Sequence, residues 1–101
     1  MPSIIYNDFK LSVTKSTYLN NHNLALVLTD EEDGAMFGLA TVNLDILMPN
    51  FAFIDENNLP GMGEALVKAG LATKTATSRQ SGWVSYPLYE IKVDQISDQP
   101  S

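Results

Sequence analysis

Hydrophobic and polar positions alternate in short runs along most of this chain, which predicts strands rather than long helices. In residues 9–14, Phe, Leu and Val fall on one face of a strand, and Lys, Ser and Thr fall on the other. Residues 24–28 form an apolar run that is typical of a strand covered on both faces. The sequence predicts a final long strand from Trp83 to Val93. Because Pro87 cannot donate a hydrogen bond to a neighbouring strand, it marks a bulge or an open edge.

The central feature is a predicted β-hairpin over Asn23 to Leu44, whose two apolar arms flank a charged turn. The turn holds four consecutive carboxylates followed by Gly34, which supplies the positive φ that such a turn requires. In this arrangement Leu28 faces Phe37 across the two strands. A shift of one residue would exchange the two faces, so we expect a well-defined register.

One short helix is predicted over residues 60–69. Pro60 suits its first turn, and Gly70 suits the left-handed residue that ends it. Glu64 and Lys68 suit the two ends of the helix dipole. A helix of about ten residues is unstable alone in water, so it must dock on the sheet. We therefore predict an α+β domain, with an antiparallel sheet of about four to six strands and one short helix packed on it.

A length of 101 residues and 45% hydrophobic residues indicate one globular domain. We place this domain at residues 1–93 and predict a flexible C-terminal tail at residues 94–101, where the sequence becomes polar. The chain contains no cysteine, which excludes disulfides and thiolate chemistry. A membrane-spanning helix needs about 20 apolar residues in a row, and no run in this sequence is that long. No secretory signal is visible either. We therefore expect a cytoplasmic protein with no membrane partner.

Acidic residues dominate the charge balance, because twelve acids face six bases and the formal net charge is -6. Direct binding to DNA or RNA is not expected, since phosphate binding needs a basic face. The acidic surface has two interpretations. It either keeps the protein soluble, or it attracts a basic partner, including a protein that itself holds nucleic acid.

The charged turn is the candidate binding site, and it is formed by Asp30, Glu31, Glu32 and Asp33. Adjacent carboxylates repel one another, so these side chains stay in solvent, either as a solvated tip or as a tip that enters a basic groove. Asp55 and Glu56 are predicted to extend this negative surface. The spacing does not fit an EF-hand, because later ligand positions fall on Met36 and Gly38. We predict no metal site and no cofactor.

No catalytic constellation is recognisable in the sequence. His22 is the sole histidine and lies in an Asn-rich turn, where we expect a solvated side chain. No Gly-x-Ser-x-Gly nucleophile motif accompanies it, so we predict a protein that is not an enzyme. Arg79, the sole arginine, is interpreted as a surface residue, with the alternative that it fixes an anion or a carboxylate of a partner. Core packing is expected for most of the aromatic residues of the last strand, Trp83, Tyr86 and Tyr89.

Several segments carry a resemblance to a known family: LALVLTD at 24–30, ATVNL at 40–44, EALVKAG at 64–70 and SGWV at 81–84, together with Gly34. They resemble a family of unknown function, made up of small acidic proteins of phages, plasmids and conjugative elements of Gram-positive bacteria. The resemblance covers residues 23–93 and implies a shared fold, but it assigns no catalytic residue. It also implies a context, because small acidic proteins of mobile elements include anti-CRISPR and antirestriction inhibitors.

From this context we predict a non-enzymatic inhibitor encoded by a mobile genetic element. It would bind a host defence protein that processes nucleic acid, such as a CRISPR nuclease, through its acidic surface. The alternative is a small interaction or self-assembly module without a defence role. In that case the chain would form a homodimer through a strand edge near Trp83 to Val93.

Overall fold

A computed structural model describes residues 2–46 and 48–100 of the chain. Within them, nine strands form two sheets, accompanied by one α-helix and one short 3-10 helix. The elements are β1 (Ser3–Tyr6), β2 (Phe9–Thr17), β3 (Leu24–Asp30), β4 (Met36–Leu39), β5 (Thr41–Val42), β6 (Phe51–Ile54), α1 (Met62–Lys68), β7 (Ala72–Ser81), β8 (Val84–Ile91), the 3-10 helix (Val93–Gln95) and β9 (Ser97–Asp98). The predicted α+β class is confirmed, although the strands divide into two sheets rather than one. No helix in the described ranges is long and apolar enough to cross a membrane.

The two sheets are joined where the chain leaves β4 and enters β5. The first sheet has the order β1-β2-β3-β4, with β9 added parallel to β2 beyond the end of β1. The second sheet has the order β5-β6-β8-β7, and its neighbouring strands are antiparallel. At the junction, the Ala40 N–H donates to the Leu26 carbonyl and the Ala40 carbonyl accepts from the Asp55 N–H, both at 2.9 Å. One residue therefore hydrogen-bonds to both halves of the fold.

The central hairpin forms as predicted, but its register changes along the ladder. Thr29 pairs with Met36, which follows the predicted register, whereas Leu28 pairs with Gly38 instead of Phe37. The irregularity leaves Phe37 as an extra residue of β4, as in a β-bulge. The Phe37 ring packs against Tyr6, with ring centroids 6.3 Å apart. The bulge therefore lets this aromatic side chain contact β1, a contact that local pairing rules do not include.

The helix α1 begins at Met62, two residues later than predicted, because Gly61 turns the chain with a φ of 86°. Its end agrees with the prediction: Gly70 has a φ of 76°, and the next N–H, that of Leu71, donates to the Leu66 carbonyl at 2.9 Å. Met62 and Leu66 are fully buried. The helix packs against β1 of the first sheet and β7 of the second, so it closes the core between them.

The core is apolar and draws on both sheets, on α1 and on the C-terminal segment. Its fully or nearly fully buried side chains include Ile4, Leu11, Val13, Leu26, Leu28, Ile54, Met62, Leu66, Ile91 and Ile96. Of the predicted inward face of β2, Leu11 and Val13 are buried, whereas Phe9 is 45% exposed. The face that begins at Phe9 therefore starts at the rim of the core.

The C-terminal segment is packed, in contrast to the flexible tail predicted for residues 94–101. Ile96 is only 3% exposed and belongs to the core. Ser97–Asp98 pair with Thr14 and Lys15 of β2, and the Gln99 N–H donates to the Lys15 carbonyl at 2.7 Å. The packed domain thus passes the predicted boundary at residue 93. The sequence does not predict this packing, because one isoleucine in a polar stretch does not form the hydrophobic pattern of a strand or helix.

Trp83 is fully exposed at the tip of the β7–β8 hairpin. Ser81 pairs with Val84, so Gly82, with a φ of 62°, and Trp83 form a two-residue loop. The expectation of core packing is wrong for Trp83 and correct for Tyr89, which is 5% exposed. The difference arises because the two-residue turn includes Trp83, whereas the apolar pattern predicts that the strand begins there.

Because Trp83 is the sole tryptophan, its fluorescence reports on this tip alone. We expect the folded protein to emit like an indole in water, and to show little spectral shift when it unfolds in urea. The matched control is Trp83→Phe combined with Phe53→Trp, which moves the reporter to a position that is 5% exposed and should produce a large shift. A blue-shifted native spectrum of the unaltered protein would contradict the exposed tip.

Candidate functional site

The acidic tip, residues 30–33, joins β3 to β4 and is held in shape by its own carboxylates. Asp30 Oδ1 accepts a hydrogen bond from the Glu32 N–H at 2.9 Å, and Asp33 Oδ1 accepts one from the Ala35 N–H at 2.8 Å. Gly34 has the predicted positive φ, 75°, and its N–H donates to the Asp30 carbonyl at 2.8 Å. Bonds of this kind are typical of turns initiated by aspartate. The tip is therefore an ordered turn that presents its charge outward.

The negative charge of the tip is largely uncompensated. Among the described residues one cation approaches it: Lys10 Nζ lies 3.8 Å from Glu31 Oε1. The hydroxyl of Ser3 donates to the other oxygen of Glu31. Glu32 and Asp33 are exposed. An exposed ion pair contributes at most about 1 kcal/mol and is screened by salt, so the tip remains attractive to a basic surface.

Apolar side chains flank the tip on both neighbouring strands. Phe9 of β2 and Phe37 of β4 lie with ring centroids 5.2 Å apart, and Phe37 also meets the buried Tyr6 edge-on. Phe9 is 45% exposed, and Met36, the first residue of β4, is 62% exposed. No sequence pattern predicts this grouping, because it depends on the bulge in β4. A partner that contacts the acidic tip would therefore also meet apolar surface.

Asp55 and Glu56 belong to a different turn, and their carboxylates are engaged locally. Asp55 accepts from the Asn58 N–H at 3.1 Å and from the Asn58 side-chain amide at 3.0 Å. Glu56 accepts from the Gly61 N–H at 2.9 Å and from the Gly63 N–H at 2.7 Å, so it satisfies donors at the start of α1. No hydrogen bond or ion pair within residues 2–46 and 48–100 joins either residue to the tip. We therefore centre the candidate site on the tip alone.

A hollow of about 450 Å³ beside α1 is lined in part by Tyr89, whose pKa is shifted. Burial raises the pKa of Tyr89 above its usual 10.0, and the nearby carboxylates of Glu56 and Glu64 raise it further because they oppose a phenolate. The Tyr89 hydroxyl is thus neutral at physiological pH. As the pH rises, Tyr89 ionises in the unfolded chain before it ionises in the folded protein. The raised pKa therefore lowers the free energy of unfolding only when the pH exceeds the usual pKa of 10.0. The hollow therefore offers a hydroxyl donor rather than a nucleophile.

The chemistry available at the acidic tip is that of exposed carboxylates. Across the part of the chain that the structure describes, no three His, Asp or Glu side chains come together as metal ligands. His22 lies exposed in a turn with a φ of 59°. The arrangement is suited to ionic contact with a basic surface, supported by hydrogen bonds from that surface to the carboxylate oxygens.

A family model described as a domain of unknown function (DUF4313) matches residues 11–99. No curated protein matches the chain, and no solved structure matches it. The predicted resemblance to a family of unknown function is confirmed at that level. The match starts within β2 and reaches past β9, so it covers more of the chain than the range 23–93 recognised in the sequence.

Proposed function

The chain belongs to the DUF4313 family, and we propose that it is a non-enzymatic binding protein that docks on a basic protein surface through its acidic tip. The observation that carries this proposal is the tip itself. One braced turn holds four carboxylates, of which Glu32 and Asp33 are exposed and free of ion pairs in the described part of the chain, and Lys10 is the lysine that lies close to the turn there. A partner that supplies arginines and lysines would replace the water around these carboxylates with charge-assisted hydrogen bonds.

The partner we propose is a host defence protein that processes nucleic acid, such as a CRISPR nuclease. Grooves that bind phosphates are lined with basic residues, and a narrow hairpin tip can enter such a groove where a broad surface cannot. Occupation of the groove would exclude nucleic acid and inhibit the enzyme. The resemblance to proteins of mobile genetic elements supports this direction of action, with the chain acting as the inhibitor inside the bacterial cytoplasm.

The apolar flank gives the proposed interface a second component. Exposed charges mainly steer association, whereas desolvated aromatic side chains mainly slow dissociation. Phe9 and Met36 are the exposed apolar side chains next to the tip. We therefore assign recognition and rapid association to the carboxylates, and much of the lifetime of the complex to Phe9.

Self-association remains the second candidate function, and one observation favours it. The strand edge predicted near Trp83 to Val93 is not the edge of the sheet, because β8 lies between β6 and β7. The edge is instead β7, a ten-residue strand that pairs on one side with β8. Such an edge can add a strand from a second copy. The register shift between Lys74 and Ser78 interrupts this edge, which limits the length available for pairing.

The test of the proposed function neutralises the tip without changing its shape. The variant Asp30→Asn, Glu31→Gln, Glu32→Gln, Asp33→Asn keeps the Oδ1 acceptors that brace the turn. We expect it to capture the partner from host lysate at least about tenfold less efficiently than the unaltered chain, because each lost charge weakens a salt-dependent contact. Capture at low salt and at about 0.5 M salt, followed by mass spectrometry, identifies the bound protein.

The matched control neutralises four other exposed acids, Asp8, Asp45, Asp94 and Asp98, so both variants move from a net charge of -6 to -2. The control should retain the partner and should still inhibit its cleavage of nucleic acid. Equal loss in both variants would show that bulk charge, rather than the tip, determines binding. Undiminished capture by the tip variant would refute the proposed site, and a bound protein without a basic nucleic-acid groove would refute the proposed partner.

A further inference from the structure

A second surface feature lies where the Asn-rich turn between β2 and β3 meets the β7–β8 hairpin. It is a cleft of about 760 Å³. Buried apolar side chains form part of its lining and polar side chains form its rim, among them Phe53, Leu88, Asn21, Asn23, Ser78 and Arg79. Clefts of this size with a mixed lining are typical of sites for small ligands or chain ends.

Arg79 is exposed at the rim of this cleft, and two contacts orient its side chain toward it. Its Cζ atom lies 5.8 Å from the centroid of the Phe53 ring, and its Nη1 donates to the main-chain carbonyl of Asp45. In the described part of the chain, the ion pairs involve lysines, so the guanidinium has no carboxylate partner there. A guanidinium carries several N–H donors, and one carbonyl leaves most of them for a ligand.

The lining around Arg79 contains two hydrogen-bonded asparagines and one further charged residue, Asp45. Asn21 donates its side-chain amide to Asn43 Oδ1 at 3.0 Å, and Asn23 donates its own to the Leu44 carbonyl at 3.0 Å. These amides are therefore committed to one another and to the backbone. Asp45 also lies on the rim, but only its main-chain carbonyl contacts the guanidinium. Arg79 is the cation among the described residues of the lining, and its unused N–H donors favour an anionic ligand.

We infer that this cleft binds a carboxylate carried on an apolar body. Arg79 would hold the carboxylate through two parallel hydrogen bonds. The more accessible apolar side chains of the lining, Ile46 and Met48, would pack against the apolar part, above the buried Phe53 and Leu88. The carboxylate belongs either to a free acid or to the C-terminus of a peptide. The cleft lies at the first end of β3 and the acidic tip at its last, about 20 Å apart for a seven-residue strand. The inference is therefore independent of the proposed function.

The test is a titration of the isotopically labelled full chain, followed by amide NMR. The probes are octanoate and a short peptide with an apolar C-terminal residue, and the same peptide with a C-terminal amide is the blank. We expect saturable shifts at Arg79 and Asn23 with a carboxylate probe and none with the amide. Arg79→Gln should weaken binding at least about tenfold, and Arg79→Lys should give an intermediate loss because it keeps the charge without the planar fork.

Lys74→Gln is the matched control, because it removes one positive charge from the same strand outside the cleft lining, and its affinity should be unchanged. Tighter binding of octanoate identifies a free acid as the ligand class, and tighter binding of the peptide identifies a chain end; both outcomes support the site. Unchanged affinity in Arg79→Gln, or no saturable shift with either carboxylate probe, would overturn it. The amide spectrum of each variant verifies its folding, and unchanged affinity in Arg79→Lys would overturn the paired hydrogen bonds.

Discussion

Deletion of residues 94–101 should lower the free energy of unfolding by about 3 kcal/mol or more. The deletion removes Ile96, which is 3% exposed, and truncation of a buried isoleucine alone typically costs about 2–5 kcal/mol. It also removes the pairing of β9 with β2 and the hydrogen bond from the Gln99 N–H to Lys15. The free energy of unfolding of a typical domain is about 5–15 kcal/mol, so this loss is large.

Urea unfolding measures this loss, with the midpoint moving to lower urea and the slope nearly unchanged. The control deletes only residues 100–101, keeps Gln99 and its hydrogen bond to Lys15, and should match the full chain. Ile96→Ala separates the contribution of the core side chain from that of the strand. If the truncated chain is as stable as the full chain, the packed segment is refuted and the flexible tail predicted from the polar composition is supported.

Replacement of Gly63 by alanine should destabilise the protein by about 1–3 kcal/mol, against the usual preference for alanine in helices. In an exposed helix the same change stabilises by up to about 1 kcal/mol. Here Gly63 is buried in the first turn of α1, and an added Cβ would overlap the hydroxyl and Cζ of Tyr89. The backbone of Tyr89 is held by pairing with Ala52 on one side and with Lys74 on the other, and the residue is only 5% exposed, so neighbouring atoms limit how far the ring can move.

A double-mutant cycle with Tyr89→Phe tests the cause of this loss. Removal of the hydroxyl should relieve part of the overlap, so the cost of Gly63→Ala should be smaller in the Tyr89→Phe background. Glu64→Ala, at the adjacent exposed position of α1, serves as the control and should change stability by only a few tenths of a kcal/mol. A more stable Gly63→Ala protein would mean that helix propensity prevails and that α1 does not approach β8 this closely.

Glu56 shows why a candidate site read from charge alone can mix two roles. In the sequence, Asp55 and Glu56 are a pair of acids in a polar segment, with nothing that separates them from the acidic tip. The fold brings the Glu56 carboxylate to the N–H groups of Gly61 and Gly63, where it satisfies the start of a helix. Glu56 lies several residues before the usual capping position, so the local sequence pattern does not predict that it caps the helix.

The sequence by itself determined the features that depend on neighbouring residues. Alternation predicted the strands, Gly34 and Gly70 predicted a turn and a helix end, and both have the required positive φ. The exposure of the acidic tip also follows from the sequence, because four adjacent carboxylates cannot all be buried without partners. Each of these conclusions rests on chemistry that acts within a few residues.

Only the tertiary structure decided which distant surfaces meet. It shifted the register at Phe37 toward the aromatic side chains of β1 and β2, and it buried Ile96 against the core. It also stacked Arg79 on Phe53, a residue far away in the chain. These contacts gain their free energy from burial and pairing between remote segments, and that gain exists only once the sheets and the helix have come together.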